Sequence, residues 1–453
     1  MRAARPQLQA GADDQDRIEQ TLHPPSSRDD LGQPLLHLMQ ELVELQTGLH
    51  VRHAPRCGFV IVVRCTRPLR SGARGSGPRL HGRVERVFRQ CHTLVWMGQR
   101  DVCTAQWCRT HINAMGGSMS HVPGALGLTP EQVEHLLATA GRAPSLHNSQ
   151  PWLFRPTPRA IELHADPRRN LPVADPDGRE LRLSAGAALF NLRLALHGHG
   201  IRPIVTLFPD RDHPDLLAVV RHGGSRPLTP EQNRLLRAVP AWKTNRHPFT
   251  DTLVDAPEQH AMRRAALDEG AWLHIVADTA ERTALRRIVA RAHAVQMADP
   301  AFRAELAAWS TTDADRRDGV PAIAGGTLPE PQDKWAMRDF TGGAGLARVP
   351  GKDFEDEPLI AVLTSHLSGA TAELQVGQAL QRILLTATAS GLATSFLSQV
   401  VEVPQTRDEL RRLIGGTRPP QAVLRIGYGW PVVTTPRREV ADLLMPETTS
   451  PAP

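Results

Sequence analysis

The stretch "RAPSLHNSQPW", Arg142–Trp152, stands between a helical pattern and a strand pattern. It packs Ser145, His147, Asn148, Ser149 and Gln150 into six positions. Two readings compete for it. In one, Pro144 stops a helix, and Asn and Ser side chains satisfy the backbone groups the helix leaves open. In the other, the same neutral donors and acceptors form a wall against a planar heteroaromatic ring, whose alternating edge they can serve without charge.

Working outward, "LTPEQVEHLLATAGR" places Thr129 at an N-cap, Pro130 at N1 and Gln132 at N3, a capping box, with Val133, Leu136, Leu137 and Ala140 on one face. "WLFRP" and "IELHAD", joined by "TPRA", predict a hairpin. A loop containing Asp175–Gly178 leads to the helix "GAALFNLRLALHGHG", Gly186–Gly200, and then to two strands, "IRPIVTLFP" and "DLLAVVRHG". The pattern then restarts. "LTPEQ" recurs at 228–232, and "GQALQRILLTATASG", Gly377–Gly391, echoes the Gly186 helix in length and in its terminal glycines. Two echoes in one order predict an internal duplication. The second copy is longer, chiefly through Ser310–Asp353, whose Gly/Pro-rich, aperiodic sequence predicts a lid or binding loop. "PLIAVLTS", "PQTRDELRRLIGG" and "QAVLRIGYG" continue an alternation of strand and helix. The layout is α+β, with helix-covered antiparallel-type sheets.

The ends of the chain differ in composition. Cys57, Cys65, Cys91, Cys103 and Cys108, all the cysteines of the 453 residues, precede residue 119. Residues 1–118 hold 16 Lys+Arg against 10 Asp+Glu, so the whole net charge of +6 lies there and the remainder is balanced. Nucleic-acid binding by residues 119–453 therefore gains no support from charge, and the basic front segment shows no RNA- or DNA-binding motif. "PLLHLMQELVELQTGLH" (Pro34–His50) has helical spacing and "FVIVVRC" strand character, among Arg/Gly/Ser-rich pieces. The segment is expected to be a disordered extension or an upstream translation ahead of a start at Met115 or Met119. "CTAQWCRTH" offers a cysteine pair with His111, but no second ligand pair stands at zinc-site spacing. With no apolar run of membrane-spanning length and no secretory signal, the expected compartment is cytoplasmic.

No Gly-x-Ser-x-Gly elbow or His-Glu-x-x-His occurs, and "GLARVPGKD" fails the P-loop spacing. "AWKTNRHPF", Ala241–Phe249, places Lys243, Thr244 and Arg246 together, a group able to grip a terminal phosphate or to form an ordinary basic turn. "TTPRREV" adds Arg437 and Arg438.

Together these motifs resemble the nitroreductase superfamily over Leu128–Leu444, and its Acg-like branch in arrangement. The Pro-Ser-x-x-Asn-Ser-Gln-Pro-Trp string looks like that family's flavin-contacting segment, and "KTNR" is similar to its phosphate motif, with Lys and Thr replacing Arg and Ser. The resemblance implies FMN as cofactor, bound by Pro144, Ser145, Asn148 and Gln150 from one half and by Lys243, Thr244 and Arg246 from the other. It further implies Leu397 and Ser398 near the ring, and Arg437 or Arg438 at the phosphate. His147 stands open as a proton donor or as a cap or packing residue. In the second copy "LDEGAWLHI" stands where the Asn-Ser-Gln string should be, so each half is incomplete in a complementary way. One chain is expected to build one flavin site, as a monomer that mimics a homodimer: a first half at 119–227, a second at 228–445 with its lid at 310–353, and a tail at 446–453. NAD(P)H and a small aromatic acceptor are the implied partners. The rival expectation is flavin storage, with Trp335, Met337 and Phe340 of the insertion closing over the ring.

Overall fold

The computed structural model describes the backbone of Leu49–Ala54, Gly58–Arg64 and Thr93–Trp96, and residues 122–446 except 312, 314, 329, 331–332, 336–337, 344–353 and 356. In the front unit, Met1–Ser118, strands β1 (Leu49–Ala54), β2 (Gly58–Arg64) and β3 (Thr93–Trp96) pair antiparallel in that order. The expected strand at Phe59–Cys65 is thus β2, while most of the Pro34–His50 helix and the Cys103–His111 cluster lie outside the described residues.

The second unit, Met119–Pro453, opens with α1 (Pro130–Ala140), whose Thr129–Gln132 capping box forms as the sequence predicts. The hairpin β4 (Trp152–Pro156) and β5 (Ala160–Ala165) follows, then α2 (Arg179–Gly198), β6 (Ile201–Leu207) and β7 (Leu216–Ser225). Helix α2 starts a full two turns before the predicted Gly186. Gly178 takes a left-handed φ of 66°, and the Asp175 carboxylate accepts from the amides of Glu180 and Leu181 at 2.9 and 2.8 Å. Next come α3 (Pro230–Ala238), with the identical capping box on Thr229, and α4 (Ala256–Asp268), which meets β8 (Ala271–Ile275) across a two-residue turn. Two helices that the sequence reading left out, α5 (Thr279–Ala298) and α6 (Pro300–Ala308), precede the insertion, so Ser310–Asp353 is only part of the extra length. The described parts of the insertion include the short parallel pair β9 (Ser310–Thr311) and β10 (Val320–Pro321). The chain ends with β11 (Leu359–Ser365), α7 (Ala370–Ala389), β12 (Ala393–Phe396), α8 (Gln399–Glu402), α9 (Pro404–Leu413) and β13 (Pro420–Gly427).

Two four-stranded antiparallel sheets result, ordered β4-β5-β7-β6 and β8-β11-β13-β12. In both, the fourth strand of the sheet inserts between the second and third, and the long helix joins the second to the third. Helix α1 packs on α2 as α4 packs on α7, whereas α3 lies across both long helices. The repeated "LTPEQ" therefore marks two helices in different places, and the match reflects shared capping chemistry. Among the described residues no helix is long and apolar enough to cross a membrane.

Helices α2 and α7 join the sheets. Residues 183–192 of α2 are buried on every face, the signature of a helix inside a core. Leu183, Phe190 and Leu194 enter the apolar cluster of the second sheet, and Leu374 of α7 enters that of the first. The buried Gln381 donates to Asn191 at 2.9 Å, and Asn191 donates to the Thr139 carbonyl, so a polar chain threads this contact; Arg193, donating to Gln378 at 2.8 Å, adds a second polar link between the two helices.

Candidate functional site

The string between α1 and β4 is held in an unusual backbone. His147, Asn148 and Gln150 all have left-handed φ, at 52°, 55° and 51°. Such a conformation costs an L-residue roughly 1–2 kcal/mol, so three in four residues need outside support. They receive it from two distant segments. The Asn148 amide donates to Gly319 O at 2.9 Å and Pro436 O at 3.0 Å, while its oxygen accepts from Arg437. Gln150 donates to Arg317 O and accepts from the Arg438 amide, and its own amide donates to Ser145 Oγ, each at 2.9 Å. The string therefore fastens the start of the insertion and the C-terminal segment to the first sheet. A plain helix stop would not need these contacts.

That C-terminal segment leaves β13 and crosses to the first sheet, where Leu444 bridges Phe154 and the Met445 amide donates to Phe154 O. The Trp242–Arg246 segment runs beside β12, with Thr244 bridged to Thr394 and the Asn245 amide donating to Thr394 O at 2.8 Å. Between these elements lies a cleft of about 870 Å³, adjoining solvent included. Its walls come from the string (Pro144–Asn148), from α2 (Glu180, Leu183, Ser184), from Trp242, Thr244 and Arg246, and from Leu380 of α7. Ser395–Gln399, Arg338 and Phe340 of the insertion, and Thr435 and Arg437 complete them, Leu397 excepted.

Of the predicted site residues, Pro144, Ser145, Asn148, Thr244, Arg246, Ser398 and Arg437 meet at this cleft. Four do not line it. Gln150 is fully buried among the contacts just described. Lys243 turns away and donates to Val432 O at 3.0 Å. Leu397 packs into an apolar core, and its amide donates to Val423 O in the sheet. Arg438 is buried against Gln150 O, Trp152 O and Asp442 O. Asn148 lines the cleft with its amide protons already engaged.

The charges along the wall fall into two groups. Arg338 is paired with the fully buried Glu402 at 2.7 Å and bonded to Gln296, which pins the insertion to α5 and α8. That pairing holds the Glu402 carboxyl below the usual range against the opposing effect of burial. Glu180 is paired with Arg179, and burial still pushes its carboxyl up to about 7. Arg246 and Arg437, by contrast, have no carboxylate partner among the described residues. Arg246 lies over the Phe340 ring at 4.7 Å and donates to Ala324 O; Arg437 bonds Asn148 and Thr435. Burial, with Arg338 near Arg246 and Arg142 near Arg437, lowers both to about 10, so both stay cationic at neutral pH. The cleft therefore carries uncompensated positive charge, the condition for holding an anion.

His147 is 3% exposed, and neither ring nitrogen has a hydrogen-bond partner among the described residues. It packs edge-on to Phe340 and Phe302, with centroids 5.8 and 6.4 Å away. Burial, then Arg338, lowers it to about 3, so at neutral pH it is uncharged. It sits in the wall as a packing residue rather than an acid. In the insertion, Phe340 reaches the cleft, Trp335 is buried with Leu285, Ile288 and Val289 instead, and Met337 lies outside the described residues.

The chain is 33% identical over 338 residues to "Putative NAD(P)H nitroreductase Rv3131" of Mycobacterium tuberculosis, a match covering 72% of this chain and 93% of that protein. The chain belongs to the nitroreductase superfamily. "Putative NAD(P)H nitroreductase acg" of the same organism is 29% identical over 321 residues, covering 70% of this chain and 96% of that one. No family model matches. Among solved structures, a nitroreductase with bound FMN from Bacteroides fragilis covers 48% of this chain and 97% of its own, with 13% identity and a TM-score of 0.28.

The sequence reading missed Glu180, Ser184, Trp242, Arg338 and Ser395 as wall residues. Glu180 and Ser184 lie before the predicted helix start at Gly186, in the two turns by which α2 begins early. Arg338 carries no motif at all, and its role becomes visible only once Glu402 and Gln296 are seen around it.

Proposed function

We propose that this nitroreductase binds one FMN in the cleft and uses it as an NAD(P)H-dependent reductase of a small aromatic acceptor. The observation that carries the reading is the pair Arg246 and Arg437, brought from segments almost 200 residues apart to one wall, neither paired with a carboxylate among the described residues. Arg246, Arg437 and the Thr244 hydroxyl would hold the phosphate. Leu183, Trp242, Leu380 and Phe396 offer apolar surface to a ring, and Ser145, Ser184, Ser395 and Ser398 offer neutral hydrogen bonds to its edge. Bound FMN supplies two-electron transfer between nicotinamide and acceptor. The chain's own contribution is to bind, orient and exclude water. Both halves supply walls, and both sheets share one strand order, which supports two related halves, a single site and a monomer.

A second reading is favoured by Phe340 and Arg338. The insertion supplies part of the cleft wall and is pinned by the Arg338–Glu402 pair, an arrangement suited to keeping FMN from partners. Anaerobic mixing of the FMN-loaded chain with NADH or NADPH tests both readings. Bleaching of the intact chain supports the reductase. Bleaching only after the insertion is released by Arg338→Met supports sequestration. Failure to bind FMN at all would refute both.

A further inference from the structure

Among the described residues, Glu180 alone lines both the cleft and a second pocket of about 800 Å³, adjoining solvent included. The second pocket bears the charged residues Asp175, Arg179, Asp299, Glu402 and Arg407. Glu180 lies in the first turn of α2 with Oε1 accepting from Arg179, and Arg179 is held in turn by the backbone and side-chain oxygens of Gln421 at 2.9 and 3.0 Å. Oε2 has no hydrogen-bond donor among the described residues, so a proton on this carboxyl resides there.

We propose that Glu180 carries the proton that each two-electron reduction in the cleft consumes, taking it from water in the second pocket and delivering it through Oε2 to the acceptor. This rests on the reductase reading above. For a quinone acceptor the balance is NAD(P)H + H⁺ + quinone → NAD(P)⁺ + hydroquinone: the nicotinamide supplies two electrons and one proton as hydride, and one further proton is required. Glu180 supplies that proton. The O–H bond at Oε2 breaks and leaves its electron pair on the carboxylate, and an O–H bond forms on the reduced quinone. Water in the second pocket then returns a proton to Oε2, leaving hydroxide to solvent.

The other ionisable groups of the wall cannot do this. His147 is neutral at pH 7 and titrates only at about 3, and Arg246 and Arg437 hold their protons until about pH 10. Arg338 is fixed on Glu402. Around Glu180, burial is the largest influence and favours the acid form. Arg179 on its own helix and Arg338 of the insertion oppose it; Asp175 from the preceding loop and Glu402 from α8 reinforce it. Arg407 on α9 also feels the Glu180 charge. The resulting value of about 7 suits a group that must both give and regain a proton near neutrality.

The test uses the full chain loaded with FMN, menadione as acceptor and Glu180→Gln. Wild-type kcat should fall about tenfold per pH unit above roughly pH 7 as Oε2 loses its proton, whereas the variant should be slower by on the order of 100-fold at pH 6 and flat with pH. FMN content should be one per chain in both. Independently of turnover, carbon-13 spectra of glutamate-labelled protein should show one carboxyl titrating near neutrality that is missing from the variant. If Glu180→Gln loses its near-UV dichroism, Glu180→Asp decides: a lower rate with the pH slope kept is expected, and an unchanged rate overturns the proposal. FMN retained with a wild-type rate and slope in Glu180→Gln overturns it while sparing the reductase reading. A wild-type chain that retains no FMN overturns the reading and the proposal together.

Discussion

Gly186 and Gly377 face each other where α2 crosses α7, and replacing either by alanine tests whether the halves meet as described. A Cβ on Gly377 would lie 2.1 Å from the Leu183 carbonyl oxygen and 2.9 Å from the Gly186 Cα; one on Gly186 would lie 2.1 Å from Leu374 O and 2.9 Å from the Gly377 Cα. Both obstacles are main chain, so no side chain can rotate aside, and the helices must part by roughly 1 Å to restore ordinary contact. Overpacking of this kind costs about 1–3 kcal/mol, at the upper end against a rigid backbone, while alanine returns about 1 kcal/mol of helix propensity. The net loss is about 2 kcal/mol, or a fall in Tm of about 3 °C for a domain of this size. Once the helices have parted, a second methyl group enters space already made, so the double variant should lose about 1 kcal/mol less than the two single losses added together. Because α2 carries Glu180, Leu183 and Ser184 and α7 carries Leu380 on the cleft walls, FMN affinity should fall as well. Thermal and urea unfolding of both single variants and the double, with an FMN titration of each, give the answer. Single variants that are neutral or stabilised, as propensity alone would have them, refute the close crossing; so does strict additivity.

Three further outcomes follow from the site. Arg246→Ala and Arg437→Ala should each weaken FMN binding by on the order of 10–100-fold, one charge-assisted contact apiece, while Lys243→Ala, whose ammonium group bonds Val432 O away from the wall, should change it less than threefold; fluorescence titration distinguishes them. Because His147 binds its proton far more weakly folded than unfolded, stability should be intact above about pH 6.5 and decline as pH falls from there toward 3. His147→Asn, which tolerates the left-handed backbone, should remove that contribution from the acid limb of the unfolding curve. Arg338→Met leaves Glu402 buried without its partner and should cost about 3–5 kcal/mol, with faster proteolytic cutting in residues 310–343 than in the wild type.

Legibility in the sequence followed the range of the interaction. Both capping boxes and the β4–β5 hairpin were readable because a few adjacent residues determine them. Four of the eleven proposed site residues, Lys243, Leu397, Gln150 and Arg438, turned out to be engaged elsewhere, with partners from 26 to 288 positions away. A local motif cannot reveal such partners. "LTPEQ" misled for the opposite reason: strong local chemistry recurs wherever a helix must start, whatever its place in the fold. The strand order common to the two sheets, in contrast, has no signature in any single window and emerges only from the pairing.

The central claim is one FMN per chain, held in the cleft between the two sheets. Its most direct measurement is the visible absorption spectrum of the purified chain after incubation with FMN and removal of the excess, followed by denaturation to count the flavin released. The account predicts a shifted flavin spectrum and one FMN per chain, lost in the Arg246→Ala/Arg437→Ala double variant. A colourless protein, or flavin retained undiminished by that double variant, would contradict it.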